Sequence, residues 1–348
     1  MTGAQMLADI GRTPAVLDAL AARGEEIASF ARQHLAPDAG GHLYVYGCGD
    51  GLVAAECVAG PALLARTALD FLVYDVPRLS AVDRVLAVSM SGNVDRGVEG
   101  AEAALARGMH VAVLTNGDGG RLGGTGAPRL SLGIPAIKPF LPGTATYNGT
   151  LFALQQIAAA LSGTTVASPG PHLAGLAAQA QSALANLPAP AGVRFLSAGI
   201  NCATAAHGAA KLVEATRLPA WHADIEEFAH SQFWSANPDE LIVYLVANKQ
   251  VAQLASHSAG VLRDMGFATL AIATQDCPVP EAGLCIETQA VGETASPLAL
   301  AIPVQVLAWR LACATGLDPD TRSHLKDDEL RFRTSRRLTR STLVGTGH

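Results

Sequence analysis

Leu43-Tyr44-Val45-Tyr46-Gly47-Cys48-Gly49-Asp50-Gly51 is a short β-rich run that ends in a glycine turn and leads into an Ala-rich helical stretch. Three later runs follow the same grammar: Phe71-Leu72-Val73-Tyr74, Val85-Leu86-Ala87-Val88 entering Ser89-Met90-Ser91-Gly92-Asn93, and Val111-Ala112-Val113-Leu114 ending at Thr115-Asn116-Gly117. Short apolar runs separated by helical segments of ten or more residues need crossover connections, so the expected fold is α/β with a parallel sheet. Upstream, Met6, Ile10, Val16, Leu17, Leu20, Ile27 and Phe30 recur at helical spacing, and Pro14 opens the second of two expected helices.

The grammar then repeats. Val193-Arg194-Phe195-Leu196-Ser197-Ala198-Gly199 matches the first strand and turn, Glu240-Leu241-Ile242-Val243-Tyr244-Leu245 matches the third strand, and Gly266-Phe267-Ala268-Thr269-Leu270-Ala271-Ile272-Ala273-Thr274 matches the fourth. The offset drifts from 150 to 158 residues, the mark of a duplicated unit with a few loop insertions. Thr164-Thr165-Val166-Ala167-Ser168-Pro169-Gly170-Pro171 reads as the linker. The expected domains are 1–165, N-terminal helices plus a first α/β domain, and 170–348, a second domain with a C-terminal tail.

The 348 residues give room for two domains with proper cores, and 49% hydrophobic against 16% charged suits strands covered on both faces. A net charge of −6 argues against a nucleic-acid partner. The longest apolar runs, 298–309 and 57–65, are closed off by Arg310 and Arg66, so no membrane span is expected. The N-terminus lacks a basic stretch followed by an apolar one, and a cytoplasmic protein is expected. Cys48, Cys57, Cys202, Cys277, Cys285 and Cys313 have no metal-ligand spacing and read as small buried free thiols.

Two stretches carry chemistry. In His207-Gly208-Ala209-Ala210-Lys211-Leu212-Val213-Glu214, Lys211 and Glu214 lie three apart and share one helix face. A buried carboxylate beside a buried ammonium can serve as a proton-transfer base; the same spacing also makes a snorkelling lysine and a surface salt bridge. Glu226-Glu227-Phe228-Ala229-His230 follows and adds the imidazole of His230. The second stretch, Ser89-Met90-Ser91-Gly92, sits at a strand C-terminus and opens a helix, where amides face an anion; it reads as a phosphate cradle or as a plain serine cap. The matching loop of the second copy, Val246-Ala247-Asn248-Lys249, has no serine. One half thus holds the anion and the other holds Lys211, Glu214 and His230.

In these residues the chain resembles the double sugar-isomerase (SIS) domain family, which includes the isomerase half of glucosamine-6-phosphate synthase. The resemblance spans roughly residues 5–330. It runs through Asp9-Ile10-Gly11-Arg12-Thr13-Pro14 ("E-I-x-x-Q-P"), 89–94 ("S-x-S-G-x-T"), 207–214 ("E-G-A-x-K-x-x-E"), 227–230 ("E-x-x-H") and Arg322-Ser323-His324-Leu325-Lys326 ("R-N-L-A-K"). It implies two tandem αβα sandwiches, each with a parallel sheet. It also implies aldose–ketose interconversion of a phosphorylated sugar or amino sugar. Ser89 and Ser91 would grip the phosphate within a pocket that includes Gly49, Asp50, Gly51, Met90, Gly92, Asn93 and Val94, with Glu227 as a further substrate contact. Glu214 would move the proton between C1 and C2, His230 would assist ring opening, Lys211 would stabilise the enediolate, and Lys326 would reach the open-chain carbonyl. No metal or organic cofactor is called for. A homodimer that shares its site through His230 is implied, with no nucleic-acid or membrane partner.

Several positions depart from the pattern. Val94 replaces the threonine of the phosphate loop, Asp50-Gly51 stand where hydroxyl residues are common, His207 replaces a glutamate, and Ser231-Gln232 replace Gly-Pro. No glutaminase domain is expected, and the resemblance then points to amino-sugar-phosphate deaminases and isomerases or to fructosamine-6-phosphate deglycases. The competing expectation is a non-catalytic SIS-domain regulator that binds a sugar phosphate. Arg331, Arg333, Arg336, Arg337 and Arg340 form a basic tail, read as a solvated extension or as an anion contact folded over the pocket. Trp221, Phe228, Phe233 and Trp234 read as core or dimer interface rather than a sugar-stacking platform.

Overall fold

The structure is a computed structural model that describes every residue except 1, 138–140, 340–342 and 344–348. Two five-stranded sheets hold it. The first contains β1 (Leu43–Gly47), β2 (Leu63–Thr67), β3 (Arg84–Val88), β4 (His110–Thr115) and β5 (Arg129–Ser131) in the order β2-β1-β3-β4-β5. The second contains β6 (Val193–Ser197), β7 (Ala220–Asp224), β8 (Leu241–Val246), β9 (Ala268–Thr274) and β10 (Leu284–Thr288) in the order β10-β9-β8-β6-β7. Every pairing is parallel. Read from its other edge, the second order is the first one over again, so the expected duplication is present. Central strands such as β8 are buried at every position, because helices cover both faces.

Two compact units interleave along the chain. The first-sheet unit comprises Asp18–Pro135, Gly149–Ser168 and Leu325–His348; the second-sheet unit comprises Met1–Leu17, Ala136–Asn148 and Pro169–His324. Each owns a core. Tyr46, Phe71, Val85, Val98, Val111, Val113 and Leu122 pack together in one. Leu196, Phe228, Ile242, Tyr244, Leu262 and Phe267 do so in the other.

Three sequence expectations need correction. Phe71-Leu72-Val73-Tyr74 is not the second strand: Phe71–Asp75 is a π-helical turn, and Leu63–Thr67 is the strand. The Thr67 hydroxyl accepts the Asp70 amide at 3.0 Å and starts a helical stretch there. Phe71 and Leu72 then face the core while Val73 and Tyr74 face out, a helical rather than an alternating pattern. Upstream there are three helices, Ala4–Gly11, Thr13–Ala21 and Gly24–His34, and Pro14 is the second residue of the middle one. Finally, the apolar run around 298–309 does not stop at Arg310. The helix Ser296–Ala314 is long and apolar enough to cross a membrane by length and composition, but 83% of it is buried inside the protein, so it is a core helix. Of the six free cysteines, Cys57 and Cys277 are buried, whereas Cys48 and Cys285 are exposed.

Candidate active site

In the first-sheet unit, strand order reverses between β1 and β3, the place where an open parallel sheet leaves a crevice at its strand ends. Gly49, Asp50 and Gly51 follow β1, with Asp50 opening the helix Asp50–Glu56. Ser89 to Val94 follow β3 and lead into the helix Asp95–Ala106. Ser89 Oγ accepts the Gly92 amide at 3.2 Å and Ser91 Oγ accepts the Asn93 amide at 3.3 Å, so both hydroxyls shape the turn. Gly92 has φ 63°, and a Cβ there would lie 1.5 Å from the Gly119 carbonyl oxygen; only glycine fits. The Met90 carbonyl accepts the Asn116 amide at 3.1 Å and the Gly92 carbonyl accepts the Leu122 amide at 2.8 Å. The serine loop and the loop after β4 are therefore one body.

Val94, the residue before the helix Asp95–Ala106, has an apolar side chain and makes no cap hydrogen bond. In the second-sheet unit, the matching helix Lys249–Asp264 is closed by Asn248, whose side chain accepts from Gln250 at 3.0 Å and Val251 at 3.4 Å. The residue before the helix supplies a side-chain cap in the second-sheet unit and none in the first.

The second-sheet unit builds the other cluster on the helix Asn201–Thr216. Gly208 sets its position, since a Cβ there would come within 2.8 Å of Val304 and 2.9 Å of Phe195. The helix thus lies close against β6 and Ser296–Ala314. Lys211, only 4% exposed, puts Nζ 2.6 Å from Glu214 Oε2. This is not a snorkelling pair at the surface. The other carboxylate oxygen, Oε1, accepts from the Arg322 guanidinium. Arg322 has φ 47°, a left-handed backbone that costs a non-glycine residue about 1–3 kcal/mol and persists where surroundings over-determine it. Glu214 thus sits between two cations while its side chain stays 27% exposed.

His207 is fully buried one turn before Lys211. Its ring stacks on Tyr147 with centroids 3.6 Å apart and planes 11° apart. Its Nε2 accepts from Gln305 Nε2 at 3.0 Å, and Gln305 Oε1 accepts from Asn148 at 3.3 Å. His207 is a buried packing residue that ties three helices together.

Glu227 and His230 lie on the helix Ile225–His230, which Asp224 caps by accepting the Glu226 amide at 2.8 Å. Both are exposed, and His230 Nε2 lies 3.4 Å from Glu226 Oε1. Behind them Arg194, 3% exposed on β6, holds Glu240 at 2.5 Å, the Ser235 carbonyl at 3.1 Å and the Trp221 ring at 4.5 Å. Phe228 is core and packs edge-on against Phe233, whereas Trp234 is 82% exposed.

Lys326 ends the short helix Ser323–Lys326 and belongs to the first-sheet unit. Arg331 pairs with Asp328 at 3.3 Å and Arg333 pairs with Glu329, both on an exposed helix, which favours the solvated reading of the tail. Arg340 lies outside the described residues. Three arginines escaped the motif reading: Arg121, Arg194 and Arg322. Arg322 stands at the head of a quoted motif, yet nothing in its spacing announces a partner 108 residues away.

No protein-family profile and no curated protein matches the sequence. Solved structures do match. The glucosamine-6-phosphate deaminase of Thermotoga maritima gives a TM-score of 0.75 at 14% identity, covering 93% of this chain and 98% of that one. The C-terminal domain of glucosamine-fructose-6-phosphate aminotransferase from Francisella tularensis gives 0.72 at 15% identity, with 91% and 97% covered. Tagatose-6-phosphate ketose/aldose isomerase from Escherichia coli gives 0.70 at 16% identity, with 92% and 95% covered. The chain has the two-domain α/β fold of these structures.

Proposed function

We propose that this chain is a sugar-phosphate aldose–ketose isomerase whose substrate is an amino-sugar or ketosamine phosphate, with release or transfer of the amine. The observation that carries the reading is the buried Lys211 on Glu214, on a helix held close to its sheet by Gly208. A binder needs an anion loop; it has no use for a carboxylate positioned between two cations. The non-catalytic regulator is therefore the weaker reading.

In the proposed reaction the first half grips the phosphate through the loop at 89–94, and Lys326 meets the open-chain carbonyl. Glu214 takes the proton from one of C1 and C2 and returns it to the other, while Lys211 stabilises the oxyanion that develops between the two steps. With a ketosamine, the proton shift moves the double bond to the amine-bearing carbon as an imine, and water then releases the amine and leaves the aldose phosphate. His230 assists ring opening from a neighbouring subunit in a homodimer; its exposure and that of Trp234 fit a surface that a second copy covers. Six cysteines outside any disulfide fit a cytoplasmic, reducing setting.

The test is Glu214→Gln. Loss of a general base costs about 10²–10⁴ in rate. The variant is expected to bind a sugar phosphate as wild type does, yet to stop exchanging the C1 or C2 hydrogen with deuterated solvent. Wild-type protein that shows neither exchange nor amine release with any amino-sugar or ketosamine phosphate would sink the enzyme reading.

A further inference from the structure

Arg322 reaches Glu214 from a loop that the N-terminal helix holds in place, and all of these parts lie within the second-sheet unit. The loop follows the core helix Ser296–Ala314 and carries two carboxylates that turn onto the start of the helix Ala4–Gly11. Asp318 Oδ1 accepts the Gly3 amide at 3.2 Å and the Asp320 amide at 3.1 Å. Asp320 is buried and accepts the Gln5 amide at 2.9 Å and the Met6 amide at 2.8 Å. Amides at a helix start have no acceptor within the helix, and the positive end of its dipole favours a carboxylate there. The Gly3 carbonyl in turn accepts the Trp309 indole at 2.9 Å, which ties the same segment to the core helix. Two residues past Asp320, the Arg322 amide donates to the Asp318 carbonyl at 3.0 Å. The loop is thus fixed from both sides, and this is what over-determines the left-handed backbone of Arg322. A carboxylate offers about four lone-pair positions. Lys211 takes one on Oε2 and Arg322 takes one on Oε1, so the plane of Glu214 is set and lone pairs remain for a proton.

We propose that Arg322 is a positioning residue for the Glu214 base, and that the clamp of Asp318 and Asp320 on the N-terminal helix sets where it stands. Arg322 takes no proton and makes no bond to carbon. It fixes the orientation in which Glu214 presents its free lone pairs, and misplacing a reacting group by about 1 Å can cost about a hundredfold in rate. A lysine on the same helix holds one oxygen only; the second hold has to come from another element, and the loop supplies it. The inference rests on the proposed isomerase reading and adds to it the residue and the clamp that orient the base.

The test is Arg322→Gly, since glycine accepts the left-handed backbone and leaves the place of the guanidinium empty. Exchange of the C1 or C2 hydrogen with deuterated solvent is followed on the amino-sugar or ketosamine phosphate that wild type exchanges fastest, with urea midpoints measured beside it. Arg322→Gly is expected to lose at least about tenfold in kcat while KM changes by less than about twofold. Guanidinium ion added at millimolar concentration should restore part of the rate to Arg322→Gly and none to Glu214→Gln. Arg322→Lys should keep part of the rate, because an ammonium supplies the charge without the fork. Asp320→Asn should lower kcat in the wild-type background and add little to Arg322→Gly, as residues acting through one another do. Exchange at the wild-type rate in Arg322→Gly overturns the proposal. So does a loss that neither guanidinium nor lysine restores, which would make Arg322 a stability residue only. Strictly additive losses from Asp320→Asn would strike out the clamp. If wild type exchanges with none of these phosphates, the isomerase reading and this proposal fall together; any of the earlier outcomes removes this proposal, or its clamp, and leaves that reading standing.

Discussion

Gly92 and Gly97 sit five residues apart and make opposite demands on a side chain. At Gly92 the backbone is left-handed, and a methyl group would collide with the Gly119 carbonyl. At Gly97, inside the helix Asp95–Ala106, the nearest neighbour of an added Cβ is 3.9 Å away. Gly92→Ala should therefore destabilise the protein by more than about 1 kcal/mol and weaken phosphate binding, because the two loops must part. Gly97→Ala should stabilise by about 0.4–1 kcal/mol, since alanine restricts the unfolded chain. Denaturant melts of both variants check this, and equal midpoints would refute the interlocked-loop account. Residue by residue, legibility followed periodicity. Lys211 and Glu214 could be read from the sequence because a helix brings positions three apart onto one face. Arg121, Arg194 and Arg322 could not. Their partners are supplied by turns and strand ends, which have no period.

Strands read well where both faces are covered and poorly at an edge. β3, β8 and β9 are continuous apolar runs, whereas β2 has one buried residue in five and is less apolar than the Phe71-Leu72-Val73-Tyr74 that follows it. The same contrast explains a charge in the second sheet. Arg194 reads as polar noise inside an apolar strand, yet it organises the stretch that follows His230. It pairs with Glu240, donates to the Gln232 carbonyl at 3.4 Å and the Ser235 carbonyl, and lies under Trp221. Removing one partner strands the other as a buried charge. Arg194→Met should cost about 3–5 kcal/mol, and Arg194→Met/Glu240→Leu should cost less than the single change. A double-mutant cycle by urea unfolding measures it, and strictly additive losses would contradict a buried, mutually dependent pair.

Across the whole molecule, one fold is used twice and the copies have diverged in what their strand ends carry. The first sheet ends in hydroxyls and glycines, with Val94 before its helix; the second has an Asn248-capped helix at the matching place and keeps its ionisable cluster on the preceding helix. Duplication was visible in the sequence because buried strands must stay apolar, while the exposed His230 segment gave no sign of what meets it. If a second copy does, His230 serves the Glu214 of its neighbour. Two inactive variants, Glu214→Gln and His230→Ala, should then rescue one another when unfolded together and refolded as mixed dimers. Half of the dimers would be mixed and each would hold one complete site, so activity should return to about a quarter of wild type under closed two-fold symmetry. Light scattering should show a dimer for wild type, and Trp234→Glu should shift it toward monomer with loss of turnover, because a charge on an apolar contact lacks a partner. Rescue that fails while each variant still dimerises would assign His230 to its own chain. A fully active monomer would remove the partner altogether.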